Sequence, residues 1–232
     1  MNGSLDDFLT IGADNLTNMN TWIDASYAIH SDMKSHTGGA ISLGRRAVMS
    51  KLSKQKLNTK SSTEAKVVGA SNYVPNSLWA GQFLEYQGYP LKNNVMHQDN
   101  QSAMKMERNG RTSCGQKSRH IDIHYFFIKD RVDSGEIDIV YCPTEMMVAD
   151  FFTKPLQGAL FRKLKAVIMG EIDVATFLAM PYRSKERVEI ETSEVLVDPC
   201  GHAKNGQTTK TPRTKKVSWK TSYADVVMKR SE

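Results

Sequence analysis

The run Thr21–Tyr27, TWIDASY, constrains the chain more than any other stretch, because a β-rich segment here carries a carboxylate in its middle. Strand alternation puts Trp22, Asp24 and Ser26 on one face and Ile23, Ala25 and Tyr27 on the other. A charge inside a half-apolar strand must find a partner, since burying an unpaired carboxylate is costly. A lysine or backbone amides would satisfy a solitary Asp24. A functional site requires that other carboxylates converge on it.

The neighbouring segments define the sheet. After the strand Thr21–Ile29 comes a turn composition, HSDMKSHTGG, and then AISLG and AVMSKLSKQKL read as two further strands around Gly44–Arg46. Three consecutive strands with short connections imply an antiparallel meander. A long helix follows, with Ser61, Ser62 and Thr63 as candidate N-caps and Val67, Ser71, Val74 and Leu78 at helical spacing. Pro75 inside it predicts a kink or restart, because proline lacks a backbone donor. NNVMHQD reads as a strand, NQSAMKMER as a helix, and HIDIHYFFIKDRVDSG as a helix with Ile121, Tyr125, Ile128 and Val132 on one stripe. IDIVYCP is the fifth strand, TEMMVADFFTK a helix ended by Pro155, and GALFRKLKAVIMG an amphipathic helix. The order βββαβααβα predicts an α/β fold with a five-stranded mixed sheet, three antiparallel strands followed by parallel ones, flanked by helices.

Composition sets the boundaries. With 232 residues and 40% hydrophobic content, one good core and an appendage are expected. Residues 1–19 read as a leader left from a preceding region, 20–170 as the domain, and 171–232 as an extension, largely disordered and basic toward its end. No apolar run is long enough to span a membrane and the N-terminus resembles no secretory signal, so the expected location is intracellular. Cys114, Cys142 and Cys200, with no CxxC pair, read as free thiols rather than a disulfide framework or zinc site. A net charge of +6 suits a polyanionic partner, although a basic tail on a neutral domain gives the same sum.

Four acids occupy strand ends and helix starts. Asp24 is mid-strand, Glu64 lies in the first turn of the long helix, Asp99 ends the fourth strand and Asp150 sits in the helix after the fifth. Taken singly, Glu64 suits a helix N-terminus and Asp99 an N-cap. If the first and fourth strands are neighbours, all four can meet. Carboxylates so clustered repel unless cations sit between them, as in a magnesium site.

The segments TWIDASY, SHTGGAIS, KQKLNTKSSTEAK, HQDNQSA, KSRHIDIHYFFIKD and EIDIVYCPTEMMVADFFTKPLQG together resemble the ribonuclease H domain of copia-type LTR retrotransposon polyproteins, over roughly Ala13 to Gly170. The resemblance implies a ribonuclease H-like fold and metal-dependent hydrolysis of the RNA strand of an RNA–DNA hybrid during reverse transcription. It places the catalytic, metal-binding acids on Asp24, Glu64, Asp99 and Asp150. It implies two Mg²⁺ ions, or Mn²⁺, with Asp24 and Asp99 touching either or both, Glu64 on the leaving-group side and Asp150 on the nucleophile side. The implied partners are the hybrid and the reverse transcriptase of a parent polyprotein, with no membrane and no small-molecule cofactor. Ser62, Asn100, Gln101 and Ser102 are candidates for reading the 2′-hydroxyls, and Lys105, Arg111, Lys117 and Arg119 for gripping phosphates.

The chain departs from the family pattern where members commonly show Glu-Ala-Glu and it has Glu64-Ala65-Lys66. With Glu64 read as the ligand, Lys66 places a positive charge close by and is expected to lower activity. No histidine lies between Cys142 and Val148, where cellular ribonucleases H often place a mobile one, and His120 and His124 read as structural. The competing expectation is an inactive or decayed retroelement fragment that binds nucleic acid without cleaving it. Another nuclease or an integrase of the superfamily is a third, disfavoured by the motifs between the acids.

Overall fold

A computed structural model describes residues 8, 10, 12, 13, 16–110 and 122–181. Over these residues the sequence builds five strands, β1 (Asn18–Ser26), β2 (His36–Ser42), β3 (Ala47–Lys54), β4 (Asn93–Gln98) and β5 (Asp138–Tyr141). Its helices are α1 (Ser62–Tyr86), α2 (Gln101–Asn109), α3 (Asp122–Asp133), α4 (Asp150–Thr153), α5 (Gly158–Met169) and α6 (Val174–Ala179). The strands form one sheet in the order β3-β2-β1-β4-β5. The β1–β2 and β2–β3 pairs are antiparallel, and the β1–β4 and β4–β5 pairs parallel. This is the ribonuclease H-like arrangement expected from the sequence.

The alternation in β1 sorts two cores. Met19 and Ile23 join Val67, Tyr73, Met96, Tyr125, Ile128 and Ile139 beneath α1–α3. Trp22 faces the other way and packs with Val140, Met146, Leu164, Val167 and Phe177 under the later helices. Fully burying each large apolar side chain contributes about 1.5–3 kcal/mol. His97, wholly buried, stacks on Trp22 with ring centroids 4.7 Å apart and meets Asn20 Oδ1 at 3.0 Å through Nε2. Burial pulls its pKa down to about 3, so it stays neutral and structural.

Several elements differ from expectation. α1 runs through Pro75 as one 25-residue helix. TEMMVADFFTK forms a 3-10 turn at Thr144–Met146 and the short α4, because Met146 through Ala149 are buried in the second core as the chain crosses it. α6 lies beyond the expected boundary at Gly170 and inserts Val174, Phe177 and Leu178 into that core. β1 begins inside the expected leader, with Met19 fully buried. Arg111, Cys114, Lys117, Arg119 and His120 lie outside the described residues, as do Cys200 and the rest of 182–232. Cys142 is a buried thiol whose Sγ lies 3.5 Å from the Pro143 carbonyl oxygen. Among the described residues no helix is long and apolar enough to cross a membrane.

Candidate active site

The site grows from a mismatch in strand length. β1 pairs with β4 from Asn18 to Trp22, and its last residues, Asp24–Ser26, run on past the end of that parallel neighbour at Gln98. Crevices at the carboxyl ends of such strands are where α/β sheets place ligands. Asp24 lies in this overhang, and Asp99 directly follows β4. Asp150 opens α4, just after β5 and the 3-10 turn. One carboxylate oxygen from each of Asp24, Asp99 and Asp150 lies within 4.8 Å of the others.

Two glycines let the helices approach. Gly38 is the antiparallel partner of Asp24, and a Cβ on it would come within 2.8 Å of both Phe152 Cβ and Thr153 Cγ2. Its bareness lets α4 lie against β2, from where the Thr153 hydroxyl donates to Asp24 Oδ2. Gly39 makes similar room for the ring of Tyr73 on α1.

Glu64 is not part of this group. It is engaged at the start of α1, where its backbone N–H donates to Ser61 Oγ at 3.2 Å and its Oε2 accepts from the Lys60 N–H at 2.7 Å. This closely resembles a capping box. The side chain of α1 that reaches the aspartates is Lys66, which sits roughly 200° round the helix from Glu64 at about 100° per residue. Its Nζ donates to Asp24 Oδ1 and Asp99 Oδ1, each at 2.5 Å. Lys154, one turn beyond Asp150, donates to Asp150 Oδ1 at 2.7 Å and stands 3.7 Å from Asp24 Oδ2.

Electrostatics divides the acids. Burial alone would raise the pKa of Asp24, but the charges of Lys66 and Lys154, with hydrogen bonds from Lys66 and Thr153, bring it below the usual value. Burial would lower that of Lys66, and Asp24 and Asp99 raise it instead, so the pair is ionised. Asp150 goes the other way. Its burial, helped by the charges of Asp24 and Asp99, outweighs Lys154 and lifts its pKa to about 7. Its Oδ2 is buried without a hydrogen-bond partner among the described residues.

Three clustered carboxylates could hold a metal ion, and hard oxygens are what Mg²⁺ or Mn²⁺ takes. Lys66 does not fit that purpose. Magnesium needs carboxylate oxygens at about 2.0–2.1 Å, whereas the gap between Asp24 and Asp99 is filled by an ammonium 2.5 Å from each. With Lys66 so placed, the residues do not fit a two-ion centre.

No family model matches the chain. It is 27% identical over 135 residues to the retrovirus-related Pol polyprotein of transposon TNT 1-94 from Nicotiana tabacum, covering 58% of this chain and 10% of that protein. For the Pol polyprotein of transposon RE2 from Arabidopsis thaliana the identity is 29% over 168 residues, covering 72% and 11%. For that of RE1, also from Arabidopsis thaliana, it is 30% over 156 residues, covering 66% and 10%. The chain is a homologue of copia-type retrotransposon Pol polyproteins. It spans about a tenth of the length of these relatives. Solved structures of similar shape include LC11-RNase H1, isolated from compost, with TM-score 0.45 and 10% identity over 58% of this chain and 91% of that one. RNase H1 of Halobacterium salinarum gives a TM-score of 0.37 and 10% identity over 57% and 90%.

Among the described residues, the remaining residues expected to meet nucleic acid sit at or near the first turns of α1 and α2. Ser62 is exposed at the start of α1, and Gln101, Ser102 and Lys105 are exposed on α2. Asn100 caps α2 by accepting from the N–H groups of Ser102 and Ala103 at 2.9 and 3.1 Å. Its Nδ2 also donates to Thr63 Oγ1 at 3.4 Å, tying the two helix starts together beside Asp99. His124 meets Ser71 Oγ at 3.0 Å through Nδ1, a structural contact.

Proposed function

We infer that this chain is a ribonuclease H-type domain of a retroelement Pol protein, directed at RNA–DNA hybrids, and that Lys66 suppresses hydrolysis at its three-aspartate site. The observation that carries the reading is the convergence of Asp24, Asp99 and Asp150 at the carboxyl ends of β1 and β4, in a homologue of transposon Pol polyproteins. The reaction class such a cluster suits is hydrolysis of the RNA strand. In this reading a hybrid lies over the rim formed by the starts of α1 and α2. Asn100, Gln101, Ser102 and Ser62 meet its 2′-hydroxyls and Lys105 a phosphate.

The alternative is an active nuclease, favoured by one observation, the buried Oδ2 of Asp150, which has no hydrogen-bond partner among the described residues and so has spare acceptor capacity. Fluorescence anisotropy of the chain with labelled RNA–DNA hybrid, duplex DNA and duplex RNA, with parallel cleavage gels in Mg²⁺, tests both. Preferential binding of the hybrid with an intact RNA strand is the expected result. Equal binding of all three duplexes removes the hybrid assignment, and cleavage that Asp24→Asn abolishes establishes the active enzyme.

A further inference from the structure

We propose that the Lys66 ammonium is the resident cation of the three-aspartate site, standing where a divalent ion would otherwise be needed, so that the domain folds and holds its carboxylates together without metal. The inference deepens the reading above, because it concerns the same aspartates, but its test requires no nucleic acid.

Position comes first. Lys66 Nζ is shared evenly between Asp24 on β1 and Asp99 at the end of β4, the two strands whose unequal lengths open the crevice. It does for those carboxylates what a bridging ion would do. Enclosure comes second. The Lys66 side chain is 10% exposed and Asp24 wholly buried, so water does little to solvate this charge pair. The lysine stem leaves α1 between Ala65 and Val67, both fully buried, so the helix cannot turn to withdraw it without exposing core.

Charge comes third. Lys66 and Lys154 together bring two positive charges to three carboxylates, which is the charge of one divalent ion. An added Mg²⁺ would meet a cluster whose demand is already met, and would have to expel an ammonium from between two of its ligands. Glu64 stands outside the aspartate group, with its Oε2 accepting from the Lys60 N–H at 2.7 Å at the start of α1. A single change should therefore reverse the site's character. Glutamate at position 66 would add a fourth carboxylate in place of the bridging cation, and mutual repulsion would make the cluster demand a divalent ion.

The test compares the full chain with Lys66→Glu and with Lys66→Gln, which removes the charge with less disruption. Manganese binding is followed by titration calorimetry, and melting is followed with EDTA or with MgCl₂. The wild-type chain is expected to melt at the same temperature in both and to bind Mn²⁺ at least about tenfold more weakly than either variant. The variants are expected to melt lower in EDTA and to recover with Mg²⁺. Wild-type Mn²⁺ binding as tight as the variants', or a wild-type melting point raised by Mg²⁺, overturns the proposal. Should Lys66→Glu fail to fold, Lys66→Gln and the wild-type melts decide it alone. A Lys66→Glu chain that binds Mn²⁺ yet leaves the RNA strand of a hybrid intact upholds the resident cation, while the nuclease ancestry of the site falls.

Discussion

The Nζ of Lys66 stands 2.5 Å from Oδ1 of Asp24, a carboxylate with no solvent exposure. Removing one partner of a buried ion pair leaves the other uncompensated, at a cost of about 3–5 kcal/mol. Lys66→Ala should therefore lower the stability of the metal-free chain by roughly that amount near pH 7. The contribution of Asp24, whose pKa is depressed, is present above its unfolded value and is lost as pH falls through the folded one. That of Lys66, whose pKa is raised, is full below its ordinary value and is lost in strong alkali. Urea unfolding at neutral and acid pH should show the gap between wild type and variant narrowing in acid. A constant gap would mean that packing of the lysine stem, rather than its charge, sets the loss.

Asp150 behaves oppositely. Its folded pKa, lifted by burial to about 7, exceeds that of an unfolded aspartate, so the folded chain holds a proton that the unfolded chain releases. Stability should fall as pH rises from the ordinary aspartate range toward 7, and Asp150→Asn should remove that part of the slope. Expected gains are about 1–3 kcal/mol at pH 8 and close to nothing at pH 4. Thermal melts across that range measure it, and an Asp150→Asn chain less stable than wild type at pH 8 would show that the ion pair with Lys154 outweighs burial.

The order of strands and helices was legible because each strand is β-rich and bounded by turn residues, with Asp24 inside β1, Asp99 just after β4 and Asp150 at the start of α4. The facing of α1 was harder to read. The stripe Val67, Ser71, Val74 and Leu78 predicts its inner side, yet Ala70, Tyr73 and Ser77 are buried while Leu78 is only partly so, and Lys66 belongs with them at a spacing of four, seven and eleven residues. A charged side chain on that line gave the only signal, and it reads as a solvated flank until Asp24 and Asp99 are placed beside it. Glu64 takes its expected ligand role from the family resemblance, while in sequence a carboxylate in a first helical turn suits a cap and a metal equally well. The break before α4 could not be read, since MMVA is apolar at every position and carries no period.

A second buried acid offers a separate check. Glu107 on α2 is wholly buried, and burial raises its pKa to about 8 despite a hydrogen bond from Gln98 and the charges of Arg108 and Lys66. It is therefore largely protonated at pH 7, and its stability term declines as pH rises toward 8. Glu107→Gln keeps the shape and removes the proton demand, so it should stabilise the chain at pH 8 by about 1–3 kcal/mol. The infrared carboxyl stretch of the wild type at pH 7 should include a protonated acid that the variant lacks. Its absence would show that water reaches Glu107.

Gly38 controls how closely α4 approaches the sheet. A methyl group there would press on Phe152 and Thr153 at 2.8 Å, forcing α4 outward and drawing the Thr153 hydroxyl from Asp24. Overpacking of this kind costs about 1–3 kcal/mol, so Gly38→Ala should lower the urea midpoint while Thr153→Val, which removes the hydroxyl alone, costs less. Equal losses would place the effect in the hydrogen bond.

Glu64 separates a cap from a ligand. If its carboxylate serves only the start of α1, Glu64→Gln retains an acceptor for the Lys60 N–H and should cost at most about 1 kcal/mol, in the range of helix-cap changes. Combined with Lys66→Glu, it should leave intact the Mn²⁺ affinity gained at position 66, because residues 64 and 66 point to nearly opposite sides of the helix. Calorimetry on the single and double variants measures this directly. A tenfold or greater loss of Mn²⁺ affinity in the double variant would return Glu64 to the ligand set and would mean that its contact at the helix start gives way when a metal enters.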